Sequence, residues 1–398
     1  MIVARLQLTD FRNYESADVE LVPGPNLFVG SNGQGKTNLV EALGYFATLG
    51  SHRVSSEQAM IRQGRDAAIV RARLRHRDKE LLLEVQLNRL GANRAQLNRN
   101  QIKVRELPRH FSTVLFAPED LALVRGEPAG RRRFLDELLV LRQPRMSGVL
   151  ADYDRVLRQR NTLLKSARAA GVKGDALSTL DVWDERLIAL GSELIEARTT
   201  LAAELQPAVS EAYIAVAGED HHTSLASRLS ILGSDPDAEL DDRDTTDPVP
   251  AREAAAHFRE ALDRLRRSER ERGVTLAGPH RDDLVLGLNG MPARGYASHG
   301  ESWSLALALK LASAKVLRAE STVGDPVLIL DDVFAELDES RRARLAEAVS
   351  DFEQVLITAA VFGDVPDSLA RHTVRIHAGR IVDTLEETPV EEGNQDDV

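Results

Sequence analysis

Gly30-Ser-Asn-Gly-Gln-Gly-Lys-Thr37 follows a short apolar run, Asn26 to Val29, and opens a stretch of helical spacing, Lys36 to Leu49. In that stretch Leu39, Leu43 and Phe46 share one face. The octapeptide fits GxxxxGK[ST] in the strand–loop–helix setting that its mechanism needs. Glycines let the backbone curl so that successive N–H groups face one point, and the helix N-terminus adds partial positive charge. Gly30, Ser31, Asn32, Gly33, Gln34 and Gly35 are therefore expected to cradle the phosphates of ATP. Lys36 brings a point charge to the β- and γ-phosphates, and the Thr37 hydroxyl a ligand for Mg²⁺. A Gly-rich turn that only caps a helix is the plainer alternative, and it leaves the lysine and threonine without a reason.

Outward from this loop, the chain has 398 residues, 43% hydrophobic and 28% charged, which bounds it to one to three globular domains. It has no cysteine, which excludes disulfides, thiolate metal sites and thiol catalysis and suits a reducing cytoplasm. Met1 to Tyr14 lacks the pattern of a signal peptide, and no apolar run approaches the length of a membrane helix, so no membrane partner is expected. The net charge is −11. Two acidic segments, Glu219–Asp247 and Asp383–Val398, together carry −14, which leaves the other residues at +3. Such runs are expected as a solvated linker and tail. The mildly basic remainder permits DNA binding.

Ile2 to Leu8 reads as a strand, and Ala68 to Arg75 with Leu81 to Leu87 as a hairpin. The middle is helical: Leu157, Leu164, Leu180, Trp183, Leu187, Leu190, Leu194, Leu201 and Leu205 recur at helical spacings, interrupted at Gly171 to Gly174. That predicts an antiparallel helical hairpin too short for a long coiled-coil arm. A linker at 233–250 and a charged helix from Arg252 to Arg272 follow. Strands at Asp283–Leu288, Val327–Leu330 and Gln354–Thr358 then alternate with helices at Glu301–Leu317 and Ser340–Val349. The expected organisation is an ATPase head in two parts, 1–120 and 275–385, with a helical lobe at 121–274 between them and an acidic tail at 386–398.

Val327-Leu-Ile-Leu330 ends in Asp331 and Asp332. Asp331 fits a carboxylate that holds Mg²⁺, and Asp332 a catalytic residue beside the γ-phosphate that orients water. Most of the chain separates them from Lys36. A split α/β P-loop head with a helical insertion resembles the ABC/SMC superfamily. That resemblance implies that the signature serine is Ser298, in Tyr296-Ala-Ser298-His-Gly300-Glu301. It also implies that this serine completes the nucleotide site of a second copy, so ATP drives a homodimer. Ser298-x-x-Glu301 equally fits a capping box. Glu336-Leu337-Asp338 stands at the D-loop position.

An ordered set of strings is similar to the RecF family. It comprises Phe11-Arg-Asn-Tyr14, GSNGQGKTN from Gly30, Ser51-His-Arg53, Phe116-Ala-Pro-Glu-Asp-Leu121, Arg131-Arg-Arg-Phe-Leu-Asp136, Tyr153 with Arg158-Gln-Arg-Asn161, Gly278-Pro-His-Arg-Asp-Asp283 and Ile329 to Asp338. The resemblance runs from Met1 to about Asp383. It implies that Arg12 and Asn13 lie at the nucleotide. It also implies that an ATP-bound dimer clamps double-stranded or gapped DNA, and that a RecR-type mediator helps it load a recombinase. Slow, DNA-dependent ATP hydrolysis would reset the clamp. The chain departs from the pattern at Ser-His-Gly-Glu, where a second Gln is more usual, at Pro118-Glu-Asp120 in the Q-loop position, and at Thr358, where ABC ATPases carry a switch histidine.

Three arginine groups are candidates for DNA phosphates: Arg71, Arg73 and Arg75 on one strand face, Arg131 to Arg133 at a helix start, and Arg264 to Arg272 on the charged helix. Each also fits a plain structural role: a solvated sheet face for the first, Arg132 or Arg133 holding the lobe against the head for the second, and a salt-bridged exposed helix for the third. Aromatic residues are only 4%, so base stacking is not favoured and backbone contact is expected. An ABC-transporter nucleotide-binding subunit would want a fuller signature and the switch histidine. Another SMC-like clamp without a repair role would want long heptad arms. A small-molecule kinase would keep its acidic strand close, and a GTPase would need an Asn-Lys-x-Asp motif.

Overall fold

A computed structural model describes residues 1–54, 56–77, 79–169, 178–218, 221–233, 241–321 and 324–386. The expected break at Gly171 to Gly174 and the tail beyond 386 lie outside them. Two compact units are present: Met1–Pro118 with the chain from Ser321 onward, and Glu119–Glu320.

The first unit begins with β1 (Ile2–Phe11), β2 (Tyr14–Glu20), β3 (Gly24–Val29), α1 (Lys36–Thr48), β4 (Ala67–His76), β5 (Lys79–Asn88), β6 (Arg94–Leu97), β7 (Asn100–Ile102) and β8 (Thr113–Phe116). Six strands form an antiparallel sheet in the order β2-β1-β4-β5-β6-β7. Val70, Ala72 and Leu74 are buried, as alternation on a sheet packed on one face requires. Arg71, Arg73 and Arg75 take the other face. Arg71 is ion-paired to Glu84 directly across the ladder, and Arg5, opposite Arg73, grips Asp18 with two bonds of 2.6 Å. That face is laced with opposite charges.

The second unit contains α2 (Pro128–Arg142), α3 (Met146–Ala169), α4 (Ser178–Ala217), β9 (Thr223–Arg228), α5 (Ala251–Arg272), β10 (Asp283–Leu288), β11 (Met291–Pro292) and α6 (His299–Glu320). Arg145 pairs with Glu193 and Arg160 with Asp184, so α3 and α4 run antiparallel. Leu180, Leu187, Leu194, Leu201 and Leu205 form the buried seam of α4. Arg160 is wholly buried and binds Asp184 and Glu269 at 2.6 Å each and the Thr275 hydroxyl at 2.8 Å. A buried guanidinium needs this many partners, and here they tie three helices together.

Three expectations are corrected in this unit. Residues 275–320 belong to it rather than to the head, because β10 pairs with β9 and β11 and the apolar α6 packs along α4. Arg132 is structural in part, through its Nη1 bond to the Asp282 carbonyl at 2.7 Å, but the main structural arginine of this helix start is Arg131. It is buried, forks onto Asp283 with two bonds of 2.8 Å and binds the Leu123 and Gly126 carbonyls. The described part of the 233–250 linker is stitched down: Thr245 exchanges backbone bonds with Ser227, and Asp244 binds Arg228 at 2.7 Å. On α5, Arg266 pairs with Asp181 and Asp184, and Arg267 with Glu271.

His280 and Asp282 titrate against each other in this core. His280 accepts or donates at 2.7 Å to the Tyr153 hydroxyl, and burial lowers its pKa to about 4. Asp282 accepts the Ser230 hydroxyl at 2.7 Å, and burial raises its pKa to about 6. The folded state holds the Asp282 proton more tightly than the unfolded chain, so that contribution is present at low pH and lost as pH rises through 6. The neutral His280 ring behaves in reverse, and its contribution is lost as pH falls below 6.5. Between pH 6.5 and 5 the two nearly cancel, to within about 1 kcal/mol. Asp282→Asn leaves only the histidine, so this variant is expected to lose about 2 kcal/mol over that interval. Denaturant melts at both pH values check it.

The chain returns to the first unit with β12 (Val327–Asp331), α7 (Glu339–Val349), β13 (Gln354–Ala359), β14 (His372–His377) and β15 (Arg380–Glu386). The second sheet has the order β15-β14-β3-β13-β12-β8. All its pairings are parallel except the β14–β15 edge. β12 and β13 are buried along their whole length, which explains their unbroken apolar runs. Strands from before and after the insertion share this sheet, so the head is one α/β layer split in sequence.

Candidate functional site

The loop between β3 and α1 is held by its neighbours on every side. Gly30 donates to the Ala359 carbonyl at 3.3 Å, and a Cβ there would lie 2.3 Å from the Ile376 carbonyl oxygen. No other residue fits. Gly35 has φ +117°, and a Cβ would meet the Asn13 amide and the Tyr14 hydroxyl at 2.9 Å. The Tyr14 hydroxyl donates to the Gly35 carbonyl at 3.1 Å, and burial pushes its pKa up. Gln34 is fixed from the β14–β15 turn: Ala378 N–H donates to its side-chain oxygen at 2.6 Å and Gly379 N–H to its carbonyl at 2.9 Å. These bonds hold the loop in one curl, with carbonyls turned to the protein.

Lys36 is only 3% exposed, and its Nζ sits 3.4 Å from the Ser31 carbonyl and 3.9 Å from Asp332 Oδ1. Its ammonium thus spans the loop and the acidic strand end. The Thr37 hydroxyl donates to Asp331 Oδ1 at 3.0 Å, although the two residues are 294 positions apart. β13 lies between β12, which carries Asp331, and β3, which leads into the loop before Thr37, in register Phe28–Thr358–Asp331. From it the Thr358 hydroxyl donates to the same Asp331 oxygen at 2.5 Å. Asp332 has φ +52°, a backbone conformation uncommon outside glycine and asparagine. Its N–H is held by Thr358 Oγ1 at 2.9 Å and the Thr358 carbonyl at 3.2 Å. His52 Nε2 lies 3.8 Å from Asp331 Oδ2.

A hydroxyl and a carboxylate side by side suit a hard divalent cation such as Mg²⁺, which keeps several waters and takes phosphate oxygens as further ligands. Thr37 and Asp331 are the residues that would hold it. Among the described residues no group of three or more His, Cys, Asp or Glu could hold a metal ion. Such an ion would neutralise phosphate charge there.

Arg12 has its donors committed. Nε and Nη2 fork onto Glu41 of α1, with Nε–Oε2 at 2.7 Å, and Nη1 binds the Ala59 carbonyl at 2.8 Å. Glu41 is buried and also accepts from Ser51. Arg12 therefore braces the loop's helix in this structure. Asn13 donates to the Gln34 carbonyl at 3.0 Å and accepts from Asn38 at 2.8 Å, beside the loop. Ser31, Asn32 and Gly33 form the loop's exposed crest. Ser298 lies in the second unit and makes the reciprocal cap: its N–H binds Glu301 Oε2 at 2.7 Å and its Oγ accepts the Glu301 N–H at 3.3 Å. His52, Tyr14 and the Thr358 hydroxyl join the site without any functional motif of their own in the sequence. Their only signal was position: Tyr14 and His52 inside quoted strings, Thr358 at the end of a buried strand.

A phosphate loop, an acidic strand end brought to its threonine and a split sheet define a P-loop ATPase head of the SMC/ABC-like class. The family model "RecF/RecN/SMC N terminal domain" matches residues 2–374. A "DNA replication and repair protein RecF" from Clavibacter sepedonicus is 63% identical over 393 residues, covering 96% of this chain and 95% of the relative. A solved structure described as the recombination mediator protein RecF-ATPrS in the RecFOR pathway superposes with TM-score 0.84 at 27% identity, covering 96% of this chain and 98% of that one. An Smc head bound to the C-winged helix domain of ScpA shares the fold, with TM-score 0.52 at 15% identity over 97% of this chain and 98% of that one. The chain belongs to the RecF family.

Proposed function

We propose that this protein is an ATP-dependent DNA-binding switch of recombinational repair that acts in the cytoplasm. The observation that carries the reading is the 3.0 Å bond from Thr37 to Asp331, which unites the phosphate loop with the acidic strand end. ATP binds along residues 30–37, Lys36 holds the β- and γ-phosphates, and Thr37 and Asp331 hold Mg²⁺. Asp332 orients the water that attacks the γ-phosphate. Ser298 of one copy completes the site of the other, so ATP closes a homodimer on double-stranded or gapped DNA. A RecR-type mediator then joins it and promotes recombinase loading; a relative named as a DNA replication and repair protein, and a solved relative described as a recombination mediator in the RecFOR pathway, favour a repair role. Hydrolysis is slow, stimulated by DNA, and reopens the dimer. Turnover of tens per second without any partner would refute that last point.

The test is mass in solution, with ATP, with and without duplex DNA. Wild type is expected to form a DNA-bound dimer, whereas Lys36→Arg and Ser298→Arg stay monomeric. A wild type that remains monomeric and ignores DNA overturns the clamp reading.

A further inference from the structure

Within the second unit, well apart in sequence from the phosphate loop, a cavity of about 1040 Å³ is lined by arginines. Arg132 comes from α2, Arg228 from β9, Arg243 from the linker, Arg264 and Arg272 from α5, and Arg281 from the turn before β10. Two of these charges are answered locally, Arg228 by Asp244 at 2.7 Å and Arg243 by Asp241 at 2.8 Å. The lining acids are committed to other arginines, Asp283 to Arg131 at 2.8 Å and Glu127 to Arg294 at 2.7 Å. Arg132, Arg264, Arg272 and Arg281 remain, and none of them forms an ion pair among the described residues. In a chain of net charge −11 this is a local feature, not general basicity.

The charges also converge. A Cβ built on Gly233 would lie 3.3 Å from Arg264 Nη2, which brings that guanidinium beside Arg243, itself bonded to the Gly233 carbonyl and paired with Asp241. Arg132 is half-buried, and burial together with nearby Arg198 lowers its pKa. Like charges crowded this way are stabilised by an anion. A fork of N–H donors matches phosphate oxygens in pairs. The volume far exceeds one phosphate. Arg264 and Arg272 stand eight residues apart on one helix, about 12 Å along its axis, which suits separate phosphates of one strand. No Phe, Tyr or Trp lines the cavity, so bases have nothing to stack on.

We propose that this cavity is a second anion site, which takes two non-adjacent backbone phosphates of a nucleic-acid strand on Arg264 and Arg272. The proposal rests on the reading that the protein binds DNA. It extends that reading to the helical unit, where such contacts would add a second strand-holding point.

The chain has no cysteine, so Ser268→Cys, on the cavity wall between the two arginines, provides a single thiol for a photo-activated crosslinker. The labelled full chain is exposed to single-stranded, duplex and gapped oligonucleotides. A crosslink to DNA that inorganic tripolyphosphate competes away is expected. Arg264→Ala with Arg272→Ala is expected to abolish it and weaken DNA binding about tenfold. The slope of log K against log salt should flatten by about 1.4 to 1.8 for two lost phosphates, while binding of a fluorescent ATP analogue is unchanged. If wild type binds DNA but neither crosslinks nor responds to the double substitution, the DNA reading stands and this site is refuted. If wild type binds no DNA, both fall. A crosslink to a poly-glutamate peptide and none to DNA would refute it too, and would reassign the cavity to an acidic protein partner.

Discussion

Lys36→Ala is expected to weaken ATP binding by about 100-fold, read by equilibrium titration of a fluorescent ATP analogue. The ammonium is 3% exposed and held between the Ser31 carbonyl and Asp332, at the mouth of the loop's N–H groups. Charge-assisted bonds to two phosphates contribute about 3 kcal/mol in such a partly dehydrated place, which is the hundredfold. The side chain is not part of the apolar core, so the thermal midpoint without nucleotide should hold. Affinity within threefold of wild type would mean that the backbone cradle alone binds the phosphates and that Lys36 only answers Asp332.

Asp332→Asn should separate binding from hydrolysis. ATP affinity is expected to stay within about threefold, whereas single-turnover hydrolysis falls by about 100-fold or more, the usual range for loss of a group that orients or deprotonates water. The substitution is clean because of the backbone. Asp332 has φ +52°, and asparagine tolerates that region at least as well as aspartate. The two bonds from its N–H to Thr358 are backbone-based and survive. The ATP-bound dimer should therefore accumulate. Hydrolysis at the wild-type rate would show that another group handles the water, and His52, 3.8 Å from Asp331, would be the next to substitute.

The sequence alone determined whatever depends on neighbouring residues. Glycine spacing before Lys36 settled the loop, because its curl is a matter of local backbone freedom. Unbroken apolar runs marked β12 and β13 as buried parallel strands, and alternation marked the β4–β5 hairpin. The ordered strings carried the family. Weakly patterned strands such as β8, β9 and β14 escaped, since short edge or mixed segments have no distinct period.

The tertiary structure decided everything that depends on strand order and on which surface an element finds. Asp331 meets Thr37 because β12 ends on the same parallel sheet whose β3 leads into the loop before Thr37, and β13 between these two strands gives the Thr358 hydroxyl its place on Asp331. Residues 275–320 read as part of the head from their α/β rhythm. They pack instead in the helical unit, because the apolar α6 buries more of itself against the long α4 seam than local pattern can reveal. The arginines of the cavity come from five separate stretches between 132 and 281. No periodicity links residues so far apart. They line one cavity only once helix packing has brought those stretches together, and among the described residues carboxylates pair with Arg228 and Arg243 but not with the rest.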